Sequence, residues 1–309
     1  MTAKCKVFRI IFGEMDNIKV NLAEKKWQWI TLIFLALIWG SSFILMKRGL
    51  ESFSFQEVAA YRIFVSSLVL LPFALRNLKG LKGYFLPLIA VGIFGNCLPA
   101  FLFAKAQTFL PSAITGMLNA LVPLFTLIIG VVFFKSRIRL LQFLGITIGL
   151  AGVIGLLMNN GIENFEENLG YGKYVVGATI CYALSVNVIK KYLHELNSVV
   201  ITAIAFVFVS PPVAIYLFST EFVSKLNNEV AFINLGYISL LGIFGTALAV
   251  IIFNKLIKHT SAIFAASVTY MIPIVAMTWG LMDGENLGWT HLIWITTILS
   301  GVYLVNRNN

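Results

Sequence analysis

Charged residues are scarce in this 309-residue sequence. Asp, Glu, Lys and Arg together make up 12% of it, whereas 59% of the residues are hydrophobic. A soluble domain carries about 25% charged residues, so this chain has too little charge to cover a surface that faces water. The composition excludes a soluble globular protein and indicates a protein embedded in a membrane.

The sequence also lacks the residue patterns of enzymes, metal sites and nucleotide-binding sites. Its three cysteines are isolated, so they form neither a disulfide framework nor a metal-ligand spacing. No HExxH or Walker motif occurs, and the three histidines pair with no serine or cysteine in a nucleophile pattern. We therefore expect no enzyme activity, no cofactor and no bound metal.

What the sequence does contain is ten apolar stretches, each long enough to cross roughly 30 Å of hydrocarbon as a helix. They lie near residues 29–46, 57–75, 84–104, 112–134, 140–158, 171–189, 199–218, 231–254, 261–281 and 288–305. None of the 13 Asp and Glu residues lies in the middle of a stretch, so a buried carboxylate proton relay is not expected. These stretches predict an all-α polytopic membrane protein with ten transmembrane helices.

The net charge of +10 is distributed unevenly between the two sides of the predicted helices. With the N-terminus inside, 17 of the 23 Lys and Arg residues lie in cytoplasmic segments and five in outer loops, while Arg62 lies within a span. The positive-inside rule then places both termini in the cytoplasm. The basic charge therefore reflects topology, and we expect no nucleic-acid partner.

The tetrapeptide GIFG occurs twice, and each copy belongs to a longer repeat. Residues 92–123 align without a gap onto residues 242–273, and residues 39–47 align onto residues 182–190. The chain therefore contains two five-helix units built on one plan. Because five is an odd number, the second unit enters the membrane from the opposite side, which makes a 5+5 inverted-topology repeat.

This arrangement predicts a cytoplasmic N-terminal tail at 1–28 and five-helix repeats at 29–158 and 171–305. Inverted repeats build many secondary transporters, whose substrate site lies near the bilayer midplane between the halves. We therefore predict a secondary transporter that works by alternating access. Helices 1–4 and 6–9 are expected to surround the cavity, with helices 5 and 10 supporting it from outside.

Several motifs resemble those of EamA-type members of the drug/metabolite transporter superfamily. They are a Trp-Gly-Ser run at 39–42, an arginine in the second helix at Arg62, prolines in the fourth and ninth helices at Pro123 and Pro273, and a turn at 283–287 similar to the family's "lgErl". The first repeat departs from this pattern, since 135–138 contain no glutamate. The resemblance covers about residues 30–305. It implies an exporter or permease of small organic solutes in a bacterial cytoplasmic (inner) membrane.

Prolines inside the fourth and ninth helices indicate a candidate solute site. Pro123 removes the helical hydrogen bond to the carbonyl of Asn119. Pro273 removes the equivalent bond to Thr269, so each kink combines a freed carbonyl with a polar side chain. We predict solute contacts at Asn119, Thr269 and Tyr270. The alternative is that Asn119 and Thr269 bind neighbouring helices.

Trp39 and Tyr182 occupy matching positions on the first and sixth helices, and aromatic residues of this kind are typical of pocket walls. Ser42 and its counterpart Ser185 lie about one turn further along. We predict that Trp39, Ser42 and Tyr182 contact the solute. The alternatives are that the aromatic rings face lipid and that the hydroxyls join neighbouring helices.

Arg62 is the one basic residue well inside a predicted span, where a charge costs about 2.5–3.5 kcal/mol at the bilayer centre. Its counterpart in the second repeat is Ala205, so the arginine belongs to one half alone. We predict a gating or anion-binding role. The alternative is that the long side chain extends outward to the membrane interface.

These observations together predict an exporter of small organic metabolites such as amino-acid-like or amphipathic solutes. Two alternatives stay open, which are a sugar-phosphate-type exchanger and a membrane scaffold or sensor that transports nothing. The expected partners are the solute and membrane lipid. Gly145 and Gly149 predict close helix packing within the chain or, alternatively, a homodimer contact.

Overall fold

The computed structural model describes residues 22–78, 81, 83–134, 140–158 and 165–306, and helices joined by short turns and loops make up this part of the chain, with no strand. It forms ten long helices: α1 Lys25–Leu50, α2 Phe55–Arg76, α3 Phe85–Ala106, α4 Ser112–Phe134, α5 Leu140–Leu157, α6 Phe165–Tyr192, α7 Ser198–Ser219, α8 Glu229–His259, α9 Ala262–Met282 and α10 Trp289–Asn306. A short helical turn, Phe222–Lys225, precedes α8. Most of the predicted tail at 1–28, and the loop at 135–138, lie outside the described residues.

Eight of these helices are long and apolar enough to cross a membrane, and the other two are α5 and α10. Each of those two has 18 residues, or about 27 Å of helix at 1.5 Å per residue. That length is close to the roughly 30 Å of a hydrocarbon core. The prediction of a ten-helix membrane protein is confirmed.

The start of α2 shows how the sequence sets a helix boundary. Ser54 accepts a hydrogen bond from the backbone N–H of Glu57 at 3.3 Å, and Glu57 accepts one from the backbone N–H of Ser54 at 2.8 Å. This reciprocal capping box satisfies two backbone donors that a helix N-terminus leaves open. Helix α2 therefore begins directly after the turn at 51–54.

The two five-helix halves interlock, as an inverted repeat requires. In the first half, α3 packs against α6 and α7, and α4 packs against α6. The second half makes the equivalent contacts with the first, because α8 packs against α1 and α2, and α9 packs against α1. Each half therefore completes the helix packing of the other, and no flat interface separates two independent bundles.

The two GIFG sequences lie where α3 and α8 cross the opposite half. Each helix widens there into a π-helical turn, Ile93–Cys97 in α3 and Leu241–Leu248 in α8, an irregularity that is frequent at functional sites. A Cβ atom on Gly95 would collide with the hydroxyl of Ser185, and one on Gly245 with the hydroxyl of Ser42. The repeated tetrapeptide therefore marks the same close helix crossing in both halves.

Helices α5 and α10 pair with each other beside the interlocked helices. Gly301 of α10 lies directly against the backbone of Gly145 and Gly149 in α5, and Gly152 lies against Ile298. Small residues let two backbones approach closely without a hydrophobic driving force. The glycine pattern of α5 is used for packing within the chain.

Candidate solute-binding site

A narrow cavity of about 90 Å³ lies where the two halves meet. Its described lining comes from α1, α2, α3, α4, α6, α8 and α9. The prediction that α7 also lines the cavity is wrong, because α7 packs behind the lining helices against α2 and α3. No described residue of α5 or α10 reaches the lining.

The cavity brings together six of the seven side chains predicted to contact the solute or act as a gate. These six are Trp39, Ser42, Arg62, Asn119, Tyr182 and Thr269. Tyr270 does not line the cavity. It ends the 3₁₀ turn Ser267–Tyr270, in which successive side chains point about a third of a turn apart, so the turn that directs Thr269 inward directs Tyr270 elsewhere.

Aromatic rings form much of the apolar wall. The indole N–H of Trp39 donates to the carbonyl of Gly245 at 2.8 Å, and its ring meets Phe253 edge to face at 5.0 Å. The Tyr182 ring stacks on Phe103 at 5.8 Å, and Phe103 also meets Phe43 at 5.8 Å. The matching aromatic residues of the two halves therefore face the cavity and not lipid.

The two matching serines lie on the lining and in a helix crossing at once. The Ser42 hydroxyl donates to the carbonyl of Ile38 at 2.9 Å and packs against Gly245. Ser185 packs against Gly95 in the same way in the other half. Their small size maintains the close crossing, and their hydroxyls add polarity to the cavity surface.

Arg62 points into the cavity and is only 9% exposed. Its Nε donates to the hydroxyl of Thr246 at 2.6 Å, and Tyr182 lines the same cavity. No carboxylate of the described residues lies within the 4.0 Å of a salt bridge to Arg62. The alternative of a side chain extended to the outer interface is wrong, because Arg62 is buried and Thr246 holds its guanidinium inside.

The helices containing the two prolines change geometry just before them. Helix α4 becomes a 3₁₀ turn at Asn119–Leu121, and α9 does so at Ser267–Tyr270. Asn119 and Thr269 sit in these turns, next to the segments that Pro123 and Pro273 begin. The Thr269 hydroxyl donates to the carbonyl of Ala266 at 3.0 Å. In contrast, the buried Oδ1 of Asn119 has no hydrogen-bond partner among the described residues.

The polar lining residues missing from the sequence prediction include Asn96 and Thr246. These two lie in the π-helical turns of α3 and α8, one residue after GIFG in each copy. The 150-residue offset of the repeat pairs them directly, so two aligned polar residues in apolar helices are the signal that identifies them.

Beyond Met46 at one end of the cavity, a cluster of charges joins α1 to the loop between α9 and α10. The Nζ of Lys47 lies 2.6 Å from Asp283 Oδ2 and 2.9 Å from Glu285 Oε1, and Arg48 also pairs with Asp283. We call Lys47, Asp283, Glu285 and Ser112 the Lys47 clasp. It connects helices of both halves at this end.

Glu285 is the best-bonded member of the clasp. It accepts hydrogen bonds from the Ser112 hydroxyl at 2.7 Å and from the backbone N–H groups of Ser112 and Ala113 at 2.9 and 3.0 Å. Burial alone would raise the pKa of this carboxyl, but the bonds from Ser112, Lys47 and Ala113 outweigh burial and lower its pKa. Glu285 therefore stays ionised and ties the start of α4 to α1.

Lys190, the repeat counterpart of Lys47, joins helices at the opposite end of the cavity. Its Nζ donates to the carbonyl of Ile257 at 3.1 Å and to that of Thr260, at the end of α8. Nearby, Lys258 donates to the carbonyl of Leu196 at 2.6 Å. In the described chain no carboxylate pairs with Lys190, so backbone dipoles take the place of carboxylates at this end.

The remaining acid near the cavity rim is also paired. Glu57 forms an ion pair with Lys225 at 2.6 Å, in addition to capping α2. Within the described residues, no group of three or more His, Cys, Asp or Glu has the arrangement of a metal site. The cavity thus offers one cation, several hydroxyls and amides, and aromatic walls, which is suited to binding a small organic molecule.

Comparisons with known proteins agree with this architecture. The EamA-like transporter family matches the chain twice, over residues 26–158 and 172–307. The uncharacterized inner membrane transporter YedA of Escherichia coli (strain K12) is 29% identical over 294 residues, or 89% of each chain. An uncharacterized transporter of Archaeoglobus fulgidus is 25% identical over 282 residues, covering 91% of this chain and 99% of that one.

The same fold occurs in a protein of known crystal structure, with a TM-score of 0.65 at 16% identity over 92% of this chain and 98% of that one. Each family match contains one five-helix half, and the cavity lies where those halves interlock. Integral membrane helices, the duplicated family match and the transporter relatives lead to one conclusion. The chain belongs to the EamA-like transporter family and is a transporter of the membrane.

Proposed function

We propose that this protein is a secondary transporter that exports small organic metabolites, amino-acid-like or amphipathic, by alternating access through the central cavity. One observation carries the proposal. The lining of the cavity between the interlocked halves combines Asn119, whose Oδ1 has no partner among the described residues, with a cation, Arg62, that has no carboxylate partner there either.

Both groups are costly unless a solute or water binds them. A buried acceptor without a donor costs about 1–3 kcal/mol, and a buried charge without a counter-ion costs more. A solute that brings a hydrogen-bond donor to Asn119 and an anionic group to Arg62 offsets both costs. The aromatic wall of Phe43, Phe103 and Phe253 favours an apolar body between those groups.

Alternating access requires the two ends of the cavity to open in turn. The Lys47 clasp holds one end, and the bonds from Lys190 to the end of α8 hold the other. From the distribution of Lys and Arg, we assign the Lys47 end to the outside and the Lys190 end to the cytoplasm. Opening the outer end then means separating Lys47 from Asp283 and Glu285.

The sugar-phosphate-type exchanger is less well supported. A phosphate group carries more negative charge than one arginine balances, and Arg62 is the one Lys or Arg on the described lining. Such an exchanger is expected to surround its cavity with several cations. A scaffold that binds no solute, in turn, has no need of a polar cavity.

Transport by reconstituted protein tests the proposal. Purified protein is placed in liposomes, and counterflow of neutral, zwitterionic, amphipathic and phosphorylated metabolites is measured with and without a pH gradient. We expect uptake of amino-acid-like or amphipathic solutes, and an Asn119→Ala variant about tenfold less active, because one buried hydrogen bond contributes on the order of 1.4 kcal/mol.

The matched control is Asn234→Ala, since Asn234 is also buried but donates to Ser52 away from the cavity. Its transport is expected to stay close to wild type once protein amount is corrected. Normal transport by Asn119→Ala removes the proposed contact. Transport of phosphorylated sugars alone supports the exchanger, and no transport of any solute supports the scaffold.

A further inference from the structure

The π-helical turns of the two halves place equivalent polar residues on the cavity wall. Asn96 of α3 donates through Nδ2 to the carbonyl of Val91 at 3.1 Å. Thr246 of α8, 150 positions later, donates through its hydroxyl to the carbonyl of Leu241, also at 3.1 Å. Each side chain thus bonds to the carbonyl five residues before it, and the two sites have the same geometry.

The two sites differ in what occupies their acceptor. The hydroxyl oxygen of Thr246 accepts from the Arg62 guanidinium. In the other half the counterpart of Arg62 is Ala205, which lies against Gly92 and has no donor side chain. The Oδ1 of Asn96 is buried and has no partner among the described residues. Because Nδ2 is held by Val91, this oxygen is the amide atom left for the cavity.

The 3₁₀ turns of α4 and α9 also differ in whether their polar side chain has a hydrogen-bond partner. Thr269 is satisfied by the carbonyl of Ala266, whereas the Oδ1 of its counterpart Asn119 has no partner among the described residues. Asn96 and Asn119 both belong to the first half and both line the cavity, whereas the third buried acceptor without a partner among the described residues, Gln107 Oε1, lies outside it. The cation, Arg62, also belongs to the first half, but its guanidinium is bonded to Thr246 of the second half. The two halves, although similar in fold, therefore place different chemical groups at equivalent positions of the cavity.

We propose that Asn96 and Asn119 form an acceptor pole that binds an N–H donor group of the solute, an ammonium above all, in the place that the Arg62 guanidinium takes in the other half. This inference rests on the proposed function, because it names the group by which the transported solute is recognised. An ammonium suits the pole, since it presents three N–H donors and no acceptor. Asn96 is accordingly a specificity-determining residue.

The proposal also sets the orientation of the solute. The donor group lies toward α3 and α4 of the first half, and an anionic group lies toward Arg62. A solute therefore binds in one orientation, although the two halves of the framework are related by inversion. Removing the acceptor pole should weaken recognition of the amine group of a solute and leave recognition of its anionic group unchanged.

Binding of three compounds with one apolar body tests this. Leucine carries both groups, 4-methylpentanoate lacks the amine, and 3-methylbutylamine lacks the carboxylate. Affinities of the full-length protein in lipid nanodiscs are measured by titration calorimetry. We expect the wild type to bind leucine at least tenfold more tightly than 4-methylpentanoate. Asn96→Leu should reduce that ratio at least fivefold while binding 4-methylpentanoate within twofold of wild type.

Two further variants separate recognition from folding. Asn96→Thr introduces the residue of the other half and should reduce the same ratio by an intermediate amount. Asn234→Leu makes the same change at a buried asparagine outside the cavity, and the ratio should not change. Equal weakening of leucine and 4-methylpentanoate by both Asn96 variants overturns the inference, as does a wild type with no preference for leucine over 4-methylpentanoate.

These outcomes are distinct from failure of the proposed function. If the reconstituted protein transports a solute of the metabolite panel but Asn96→Leu and Asn96→Thr keep the wild-type leucine preference, the acceptor pole is wrong and the transporter stands. If no solute crosses, the proposed function itself fails, whatever the compounds bind.

Discussion

Lys47 and Lys190 occupy equivalent positions near the ends of α1 and α6, yet they hold the two ends of the molecule by different chemistry. Lys47 pairs with the carboxylates of Asp283 and Glu285. Lys190 donates to the carbonyls of Ile257 and Thr260, where α8 ends. The carbonyls at a helix C-terminus carry partial negative charge and attract a cation without a formal counter-charge.

The comparison shows how an inverted repeat can preserve the position of a cation while its partner changes from a charge to a dipole. A carboxylate clasp depends on two ionised groups, so neutralising either one weakens it. A lysine that binds backbone carbonyls holds them through its N–H donors more than through its formal charge. The two ends should therefore respond differently to the same substitution and to the same change of pH.

The largest expected effect comes from removing the charge that distinguishes the two halves of the cavity. Arg62→Ala makes this position resemble Ala205 of the other half and should reduce transport efficiency about 100-fold, since a hydrogen bond to a charged group contributes about 1.5–3 kcal/mol. The measurement is counterflow in liposomes, normalised to surface expression. Arg76→Ala, an exposed arginine on the same helix, is the control. Equal loss of transport and expression would reassign Arg62 to folding.

A smaller effect is expected from neutralising the two equivalent lysines. Lys47→Gln cannot balance the carboxylates, so the open population of this end should rise about tenfold, or roughly 1.4 kcal/mol. Lys190→Gln keeps an N–H donor for the carbonyls, and its end should change less than twofold. Distances between spin labels at Glu51→Cys and Trp289→Cys, both exposed positions, report on the Lys47 end. An equivalent label pair across the ends of α6 and α8 reports on the other.

The opposite ranking of the two lysine variants would contradict the distinction between clasp and dipole. Glu285→Gln provides a further check on the clasp. It should open the Lys47 end as Lys47→Gln does, and the double variant should add little, because both substitutions break the same contact.

The glycine crossings should respond alike in the two halves. Gly95→Ala and Gly245→Ala each force a Cβ onto a serine hydroxyl, and overpacking of this kind costs about 1 kcal/mol or somewhat more. We expect each to lower the melting temperature by about 2–4 °C. Ser185→Gly should rescue the first and Ser42→Gly the second. A marked difference between the halves would mean that the two crossings are not equivalent.

The smallest effect is expected from acid. Hydrogen bonds lower the pKa of Glu285 below its usual 4.5, so its contribution to the clasp is complete above that pH and is lost as pH falls through the lower folded value. The spin-label distance at the Lys47 end should stay constant from pH 8 to 5. Below about pH 4 the open population of this end should rise about threefold. Opening already at pH 6 would contradict this assignment.

Much of the site was accessible from the repeat. Trp39 and Tyr182, like Asn119 and Thr269, were found as aligned pairs, because equivalent positions of inverted halves converge near the middle of the membrane. The same alignment pairs Asn96 with Thr246, but no proline or aromatic residue drew attention to them. Their relevance depends on the π-helical turns, which hydropathy does not report.

Other features of the site depended on helix rotation. Tyr270 adjoins Thr269 in sequence but does not line the cavity, because the 3₁₀ turn separates neighbouring side chains by about a third of a turn. The inward direction of Arg62 depended on Thr246, which lies far from it in sequence. The position of a residue within an apolar stretch predicts its depth in the membrane but not the direction in which its side chain points.

The amino-acid sequence by itself determined the membrane class, the ten helices and the duplicated halves, because a chain in lipid must satisfy its backbone within apolar helices whose length the bilayer sets. Only the tertiary structure decided which polar atoms found partners. Arg62 reached Thr246, Glu285 reached Lys47 and Ser112, and the Oδ1 atoms of Asn96 and Asn119 found no partner among the described residues. The physical reason is that a hydrogen bond depends on distances of a few tenths of an ångström between helices remote in sequence, and these are set by how the halves interlock.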